Sequence, residues 1–129
     1  MRVDIWSDVV CPFCYIGKKR LEKAATEAGV ELEVHWHSYQ LDPEAPARQE
    51  VSNSERLAQK YNRTLAEVEE MQRNIATMAK EEGIEFNWEG ANSGNTFNAH
   101  RLMHLAQSKG LGSEAKEAFF FSYMTQGLA

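Results

Sequence analysis

Two cysteines separated by two residues are the feature that most constrains the fold of this 129-residue chain. Cys11 and Cys14 are its only cysteines, and they are too few and too close in sequence to staple a small secreted domain. They lie where a short apolar segment ends and a helical pattern begins, so they form one pair at a strand–helix junction. The pair predicts a chemically active site at that junction.

The segments on either side of the pair predict a β-α-β unit. Residues 3–6 suit a short buried strand that runs into a turn at Asp8. Pro12 suits the first turn of a helix, because its missing N–H would have no intrahelical partner there, and Gly29 is a typical helix stop. Over residues 32–37 apolar side chains alternate with Glu and His side chains, which predicts a second strand with one buried face.

The rest of the chain predicts helices. A polar loop between Gln40 and Asn53 separates two regions of different periodicity. Beyond it the sequence predicts an extended segment over residues 84–88 and four helices, which include residues 57–61, residues 64–78, residues 97–108 and residues 113–123. We therefore divide the chain into a β-α-β part over residues 1–40 and a helical part over residues 41–129.

The charge balance limits the possible partners. The chain carries 14 Lys and Arg against 19 Asp and Glu, a net charge of −5. Because no basic field is available to hold phosphates, we expect neither nucleic acid nor an anionic membrane as a partner. Asp4 interrupts what would be the apolar region of a secretory signal, so we expect a cytoplasmic location.

The start of the predicted helix favours a reactive thiolate at Cys11. Backbone N–H groups without intrahelical partners and the positive end of the helix dipole stabilise negative charge there. Cys14 lies one turn further on, where its sulfur can approach that of Cys11. We therefore expect Cys11 to be the nucleophile and Cys14 to resolve the resulting mixed disulfide. Asp8 either relays a proton to Cys14 or is simply a turn residue or cap.

Two other interpretations of the pair compete with a redox role. A zinc site would need two more Cys or His ligands, and His100 and His104 lie far downstream on another predicted helix. A structural disulfide that closes a two-residue loop would remove little chain entropy and would stabilise the fold little. We therefore expect no metal and no organic cofactor.

The two residues between the cysteines bear on the strength of the oxidant. Pro12 and Phe13 supply no positive charge to hold the Cys11 thiolate, so we expect a milder oxidant than a homologue with His in this segment. Phe13 either lies exposed beside the sulfur, where it can contact a partner's backbone, or packs on Trp6 or Tyr15.

Two stretches of the sequence resemble the DsbA-type branch of the thioredoxin superfamily, and more narrowly its FrnE-like members. Residues 5–17, IWSDVVCPFCYIG, are similar to that family's active-site stretch, and residues 93–102, SGNTFNAHRL, to its helical insert. The resemblance implies an α/β fold with a thioredoxin-like β-α-β unit followed by an α-helical insertion domain. It also implies thiol–disulfide oxidoreductase activity and a groove faced by the polar helix start around Asn95 and His100.

The same resemblance implies that the C-terminal half of the thioredoxin fold, with its further strands and cis-proline loop, is missing from this chain. A two-stranded sheet covered by one helix leaves apolar surface and strand edges open. The three phenylalanines at 119–121 and Tyr123 cannot all face one core on a helix. We therefore expect a truncated product or a homo-oligomer, such as an intertwined dimer in which a neighbour buries this cluster.

Three functions remain open from the sequence. The first is a dithiol–disulfide oxidoreductase that acts on protein thiols or on glutathione-like small thiols. The second is a glutathione-dependent isomerase or kappa-type transferase that resembles 2-hydroxychromene-2-carboxylate isomerase, and the third is an inactive oligomerising fragment. Because the isomerase branch places a serine where Cys11 stands, the intact pair favours the first function.

Overall fold

The computed structural model describes residues 1–128, in which two strands and five helices follow in the order β1 (Arg2–Ser7), α1 (Pro12–Ala28), β2 (Glu33–Ser38), α2 (Asn53–Tyr61), α3 (Leu65–Glu81), α4 (Phe97–Ser108) and α5 (Gly112–Met124). The two strands are parallel, in a register that runs from Arg2 opposite Glu33 to Ser7 opposite Ser38. Because parallel neighbours need a crossover, α1 closes a β-α-β unit. The predicted α/β class and the four later helices are confirmed.

Local signals explain the bounds of α1. Cys11 occupies the position before the first helical residue, and Pro12 follows it at the start of the helix. Gly29 ends the helix with φ 68°, a left-handed conformation that glycine adopts without steric cost. At 17 residues each, α1 and α3 are the longest helices of the described chain, and no helix there has the length and apolarity to span a membrane.

Residues 84–88, predicted as extended, belong to neither strand. This segment runs beside the end of α5 instead. The N–H of Asn87 donates to the carbonyl oxygen of Met124 at 2.8 Å, and the hydroxyl of Thr125 donates to the carbonyl oxygen of Glu85 at 2.7 Å. These bonds satisfy its backbone without a sheet, so the alternation of residues 84–88 reflects burial of one side against the core.

One apolar core joins α1 to the later helices. Tyr15 of α1, Ile75 of α3 and Phe120 of α5 are all buried members of this core. The rings of Tyr15 and Phe120 stack with their centroids 4.9 Å apart and an interplanar angle of 14°. Because Tyr15 directly follows Cys14, this packing fixes the cysteine-bearing turn against α5.

The expectation that a neighbouring chain buries the aromatic run of α5 is wrong for two of its members. Phe120 is fully buried and Tyr123 is 6% exposed within this chain alone, because the stripe that α5 presents to α1 and α3 includes both. Phe121 points away from this stripe and is 45% exposed. Burial of Phe120 and Tyr123 therefore gives no reason to expect a dimer.

Candidate active site

The cysteine pair lies at the N-terminus of α1. The backbone of Cys11 has the extended conformation of a residue that precedes a helix, with φ −94° and ψ 109°. The N–H groups of Cys14 and Tyr15 donate to the carbonyl oxygen of Cys11 at 3.1 and 3.4 Å and begin the helical pattern. Both cysteines are free thiols and partly exposed.

The two sulfurs have opposite electrostatic environments. A hydrogen bond from the Cys14 thiol, helped by the backbone N–H groups of Cys14 and Phe13, lowers the pKa of Cys11 to about 7, although burial acts the other way. The same hydrogen bond, together with burial and the charge of Cys11, raises the pKa of Cys14 far above its ordinary value. Near neutral pH the first sulfur is therefore substantially a thiolate while the second keeps its proton.

A buried pair of Asp8 and His100 lies directly behind the cysteine turn. Asp8 is 2% exposed and His100 is 5% exposed, and Nε2 of His100 lies 3.1 Å from Oδ1 of Asp8. The carboxylate also accepts the N–H of Val9 at 2.8 Å and the N–H of Leu41 at 2.9 Å. Burial opposes ionisation of Asp8, but the hydrogen bonds from His100 and Leu41 outweigh it and lower the pKa of the carboxyl.

These contacts give Asp8 a clear structural task. The carboxylate ties α4 and the start of the long loop after β2 to the turn before Cys11. Its negative charge also raises the pKa of Cys11, in opposition to the larger effects that lower it. A proton relay from Asp8 to Cys14 stays a prediction.

Asn95 lies outside the cavity that borders Cys11, and its side chain holds loops together. The Asn95 amide nitrogen donates to the carbonyl oxygens of Pro43 at 3.2 Å and Ala45 at 2.9 Å, and its amide oxygen accepts the N–H of Phe97 at 2.9 Å. His100 does not line this cavity either, and of the two predicted groove residues only His100 contacts Asp8 in the turn before Cys11.

Lys116 is the residue that sequence reasoning missed. It is 1% exposed, and its ammonium group lies 5.3 Å from the ring centroids of both Trp36 and Phe120. Burial lowers the pKa of Lys116 to about 8, against the raising effect of negative charge on Cys14, Asp8 and Cys11. The sequence did carry a signal for its burial, because Lys116 lies four residues before Phe120 and therefore on the same, buried face of α5.

A second charged cluster fixes α5 to α1. Glu117 accepts the hydroxyl of Tyr15 at 2.8 Å and pairs with Lys18 at 2.8 Å and Lys19 at 2.7 Å. Burial works against its ionisation, but the hydrogen bonds from these three residues lower the pKa of Glu117 to about 2. The cluster therefore supports the position of the active-site helix without contacting the sulfurs.

Cys11, Pro12 and Phe13 border a cavity of about 260 Å³ between α1, α2, α3 and the loop after β2. Phe13 is 57% exposed, so it lies beside the sulfur and does not pack in the core. Within residues 1–128, no three His, Cys, Asp or Glu side chains gather in a group that could hold a metal ion.

The comparisons with known proteins agree with this geometry. The DSBA-like thioredoxin domain family matches residues 2–129, and the chain belongs to this family. It superimposes over its whole length on the crystal structure of a probable DsbA oxidoreductase from Streptomyces coelicolor, with a TM-score of 0.90 and 32% identity, and covers 56% of that chain. It is 28% identical over 88 residues to the uncharacterized protein YwbO of Bacillus subtilis strain 168, which is 68% of this chain and 38% of that protein. The chain thus spans about half the length, or less, of these two proteins.

Proposed function

We propose that this protein is a thiol–disulfide oxidoreductase in which Cys11 is the nucleophile and Cys14 the resolving thiol. The observation that carries the proposal is the position of Cys11, which is partly exposed, precedes the first residue of α1 and borders the cavity. The Cys14 thiol donates a hydrogen bond to the Cys11 sulfur, which lowers the pKa of Cys11 and raises that of Cys14. Thiol exchange needs a thiolate to attack and a second thiol that stays protonated until the first bond has formed. Membership of the DSBA-like family supports the same chemistry.

The proposed reaction proceeds in two exchanges. The Cys11 thiolate attacks one sulfur of a substrate disulfide, which breaks that bond, forms a mixed disulfide and releases a substrate thiolate that takes a proton from water. Cys14 then loses its proton and attacks the Cys11 sulfur, which releases the second substrate thiol. Two electrons pass from the cysteine pair to the substrate, and the same steps in reverse oxidise a substrate dithiol.

Phe13 is placed to contact a substrate bound at Cys11. Its ring is largely exposed and borders the same cavity as Cys11. An exposed aromatic ring offers apolar contact area at a low cost in side-chain entropy. The FrnE-like assignment rests on the two similar sequence stretches. The glutathione-dependent isomerase has less support, because its branch carries a serine at the position of Cys11.

The test compares insulin disulfide reduction by the parent with that by Cys11→Ser and Cys14→Ser. We expect Cys11→Ser to lose turnover completely. Cys14→Ser should keep the first attack and accumulate a mixed disulfide that mass spectrometry detects. Equal turnover by the parent and Cys11→Ser would refute the proposal.

The acidity of Cys11 gives a second, independent test. The rate of iodoacetamide alkylation of Cys11 is measured against pH in the parent, Cys14→Ser and Cys14→Ala. We expect a midpoint near pH 7 in the parent, a smaller shift in the serine variant, which keeps a hydroxyl donor, and a larger upward shift in the alanine variant, which has none. A parent midpoint at or above the roughly 8.5 of a free cysteine would remove the basis of the proposal.

A further inference from the structure

One of the two buried lysines in the described part of the chain has no carboxylate partner. Lys18 is buried and pairs with Glu22 and Glu117. Lys116 is buried more completely, yet within residues 1–128 its ammonium group forms no salt bridge with any carboxylate. Because a buried charge costs several kcal/mol unless it is paired, the charge of Lys116 needs a partner that the salt bridges do not provide.

Two aromatic rings hold the ammonium group of Lys116 without offsetting this cost. The nitrogen lies 5.3 Å from the ring centroids of both Trp36 and Phe120. Such cation–π contacts contribute about 0.5–2 kcal/mol, which is less than the cost of taking a charge out of water. The rings therefore fix the position of the charge, and the group on which it acts lies elsewhere.

The packing of α5 on α1 brings Lys116 to the turn that carries Cys14. Phe120 lies four residues after Lys116 on the same face of α5, and its ring stacks on that of Tyr15 with the centroids 4.9 Å apart. Glu117, the next residue of α5, accepts the hydroxyl of Tyr15 at 2.8 Å. Because Tyr15 directly follows Cys14, and Cys14 packs against the core that includes Phe120, this part of α5 lies beside the second cysteine.

Three titratable groups of α1 and of the turn before it act on the ammonium group. Burial lowers the pKa of Lys116, and negative charge on Cys14, on Asp8 and on Cys11 acts in the opposite direction. Asp8 already pairs with His100 at 3.1 Å, and the Cys11 thiolate already accepts a hydrogen bond from the Cys14 thiol. Cys14 therefore remains as the group whose negative charge, once formed, has no other cationic partner.

The charge of Lys116 matters most after the first of the two proposed exchanges. In the reduced protein the hydrogen bond to Cys11 raises the pKa of Cys14 and keeps its proton in place. In the mixed disulfide the Cys11 sulfur is bonded to the substrate sulfur and carries no charge, so this effect disappears. Burial still raises the pKa of Cys14, while the N–H of Asp8 and the charge of Lys116 lower it. Lys116 therefore favours loss of the Cys14 proton at the step that requires it.

We infer that Lys116 is a positioning residue for the resolving step, in which its ammonium group stabilises the Cys14 thiolate. This inference rests on the proposed function and assigns a group to its second exchange. The Cys14 proton passes to water, the Cys14 sulfur bonds to the Cys11 sulfur, and the bond between Cys11 and the substrate sulfur breaks. The substrate leaves as a thiolate that takes a proton from water, and Lys116 keeps its own proton throughout.

The first experiment titrates Cys14 in the absence of Cys11. Cys11→Ala carries no charge beside Cys14 and therefore represents the mixed disulfide. The ultraviolet absorbance of the thiolate is followed against pH in Cys11→Ala with and without Lys116→Met, and the absorbance of Cys11→Ala/Cys14→Ala is subtracted. We expect Lys116→Met to raise the Cys14 midpoint by about one pH unit or more, as loss of a nearby opposite charge does. Lys23→Met, at an exposed position of α1, should move the midpoint by less than about 0.3 unit.

The second experiment separates the two exchanges with one equivalent of 5,5′-dithiobis(2-nitrobenzoate). Attack by Cys11 releases the first thionitrobenzoate, and attack by Cys14 on the mixed disulfide releases the second. At pH 7 we expect Lys116→Met to keep the rate of the first phase within about twofold and to slow the second about threefold, because a tenfold smaller thiolate population is partly offset by greater nucleophilicity. The deficit should disappear as pH rises above the Cys14 midpoints, which a merely structural defect would not produce.

The outcomes separate the inference from the proposed function. Failure of the parent to release the second thionitrobenzoate, or a first phase as fast in Cys11→Ser as in the parent, would refute the proposed function. Two phases in the parent with an unchanged Cys14 midpoint in Lys116→Met, or with a second phase that is unchanged or slowed equally at every pH, would overturn only the inference. Should Lys116→Met fold poorly, Lys116→Gln removes the same charge and is judged by the same results.

Discussion

Lys116→Met is expected to stabilise the reduced protein at neutral pH. Burial lowers the pKa of Lys116 from 10.5 to about 8, and each unit corresponds to about 1.36 kcal/mol. The charged ammonium group therefore costs the folded state about 3 kcal/mol at pH 7. Methionine loses the cation–π contacts with Trp36 and Phe120, worth about 0.5–2 kcal/mol, so the expected net gain is about 1–3 kcal/mol.

The pH dependence distinguishes this explanation from improved packing. A basic group whose pKa is lowered on folding destabilises the protein fully below its folded pKa. This destabilisation disappears as pH rises towards the unfolded pKa, because the group is then neutral in both states. The gain from Lys116→Met should therefore be largest at pH 7 and should shrink between about pH 8 and pH 10.5.

Urea unfolding under reducing conditions at pH 7 and pH 10 measures this gain, provided that the m-values stay equal. Lys23→Met changes an exposed lysine of α1 and should shift the free energy of unfolding by less than about 0.5 kcal/mol. A loss of stability in Lys116→Met, or a gain that is the same at both pH values, would refute the reasoning. Because Lys116 also lowers the pKa of Cys14 through its charge, the variant should release the mixed disulfide more slowly.

Three further predictions follow from the site. The reduced protein should lose stability relative to Cys11→Ser as pH falls from 9 towards 7 and below, because a thiol with a lowered pKa stabilises the fold only while the thiolate is present. Urea unfolding at pH 9 and pH 6 measures this loss, and an equal difference between the two proteins at both pH values would contradict it. Asp8→Asn should cost about 1–3 kcal/mol in urea unfolding, because His100, Val9 and Leu41 lose a charged acceptor, and should shift Cys11 alkylation to lower pH. Gly94→Ala should lower thermal stability by about 1–3 kcal/mol, because the added methyl would collide with the carbonyl oxygen of Ala47; an unchanged melting temperature would contradict this.

Local sequence signals predicted the elements of the fold. Pro12 and Gly29 mark the ends of α1 because they act on the backbone of their own neighbourhood, whatever packs around them. The capping pattern at Thr64 likewise predicted the start of α3, where its hydroxyl accepts the N–H of Glu67 at 3.2 Å. Residues 84–88, predicted only as extended, pair with neither strand, since alternation reports one buried side and says nothing about a partner strand.

The sequence by itself determined the position of the proposed nucleophile, because a cysteine before a proline-initiated helix meets free N–H groups through local geometry alone. Only the tertiary structure decided what surrounds that sulfur. His100 contacts Asp8, which lies 92 residues away in the sequence. Lys116 lies close enough to the two cysteines to feel their charge because α5 packs on α1. Gln72 and Ser93 line the same cavity as Cys11 for the same reason. Such contacts depend on how helices pack in three dimensions, which no local pattern encodes.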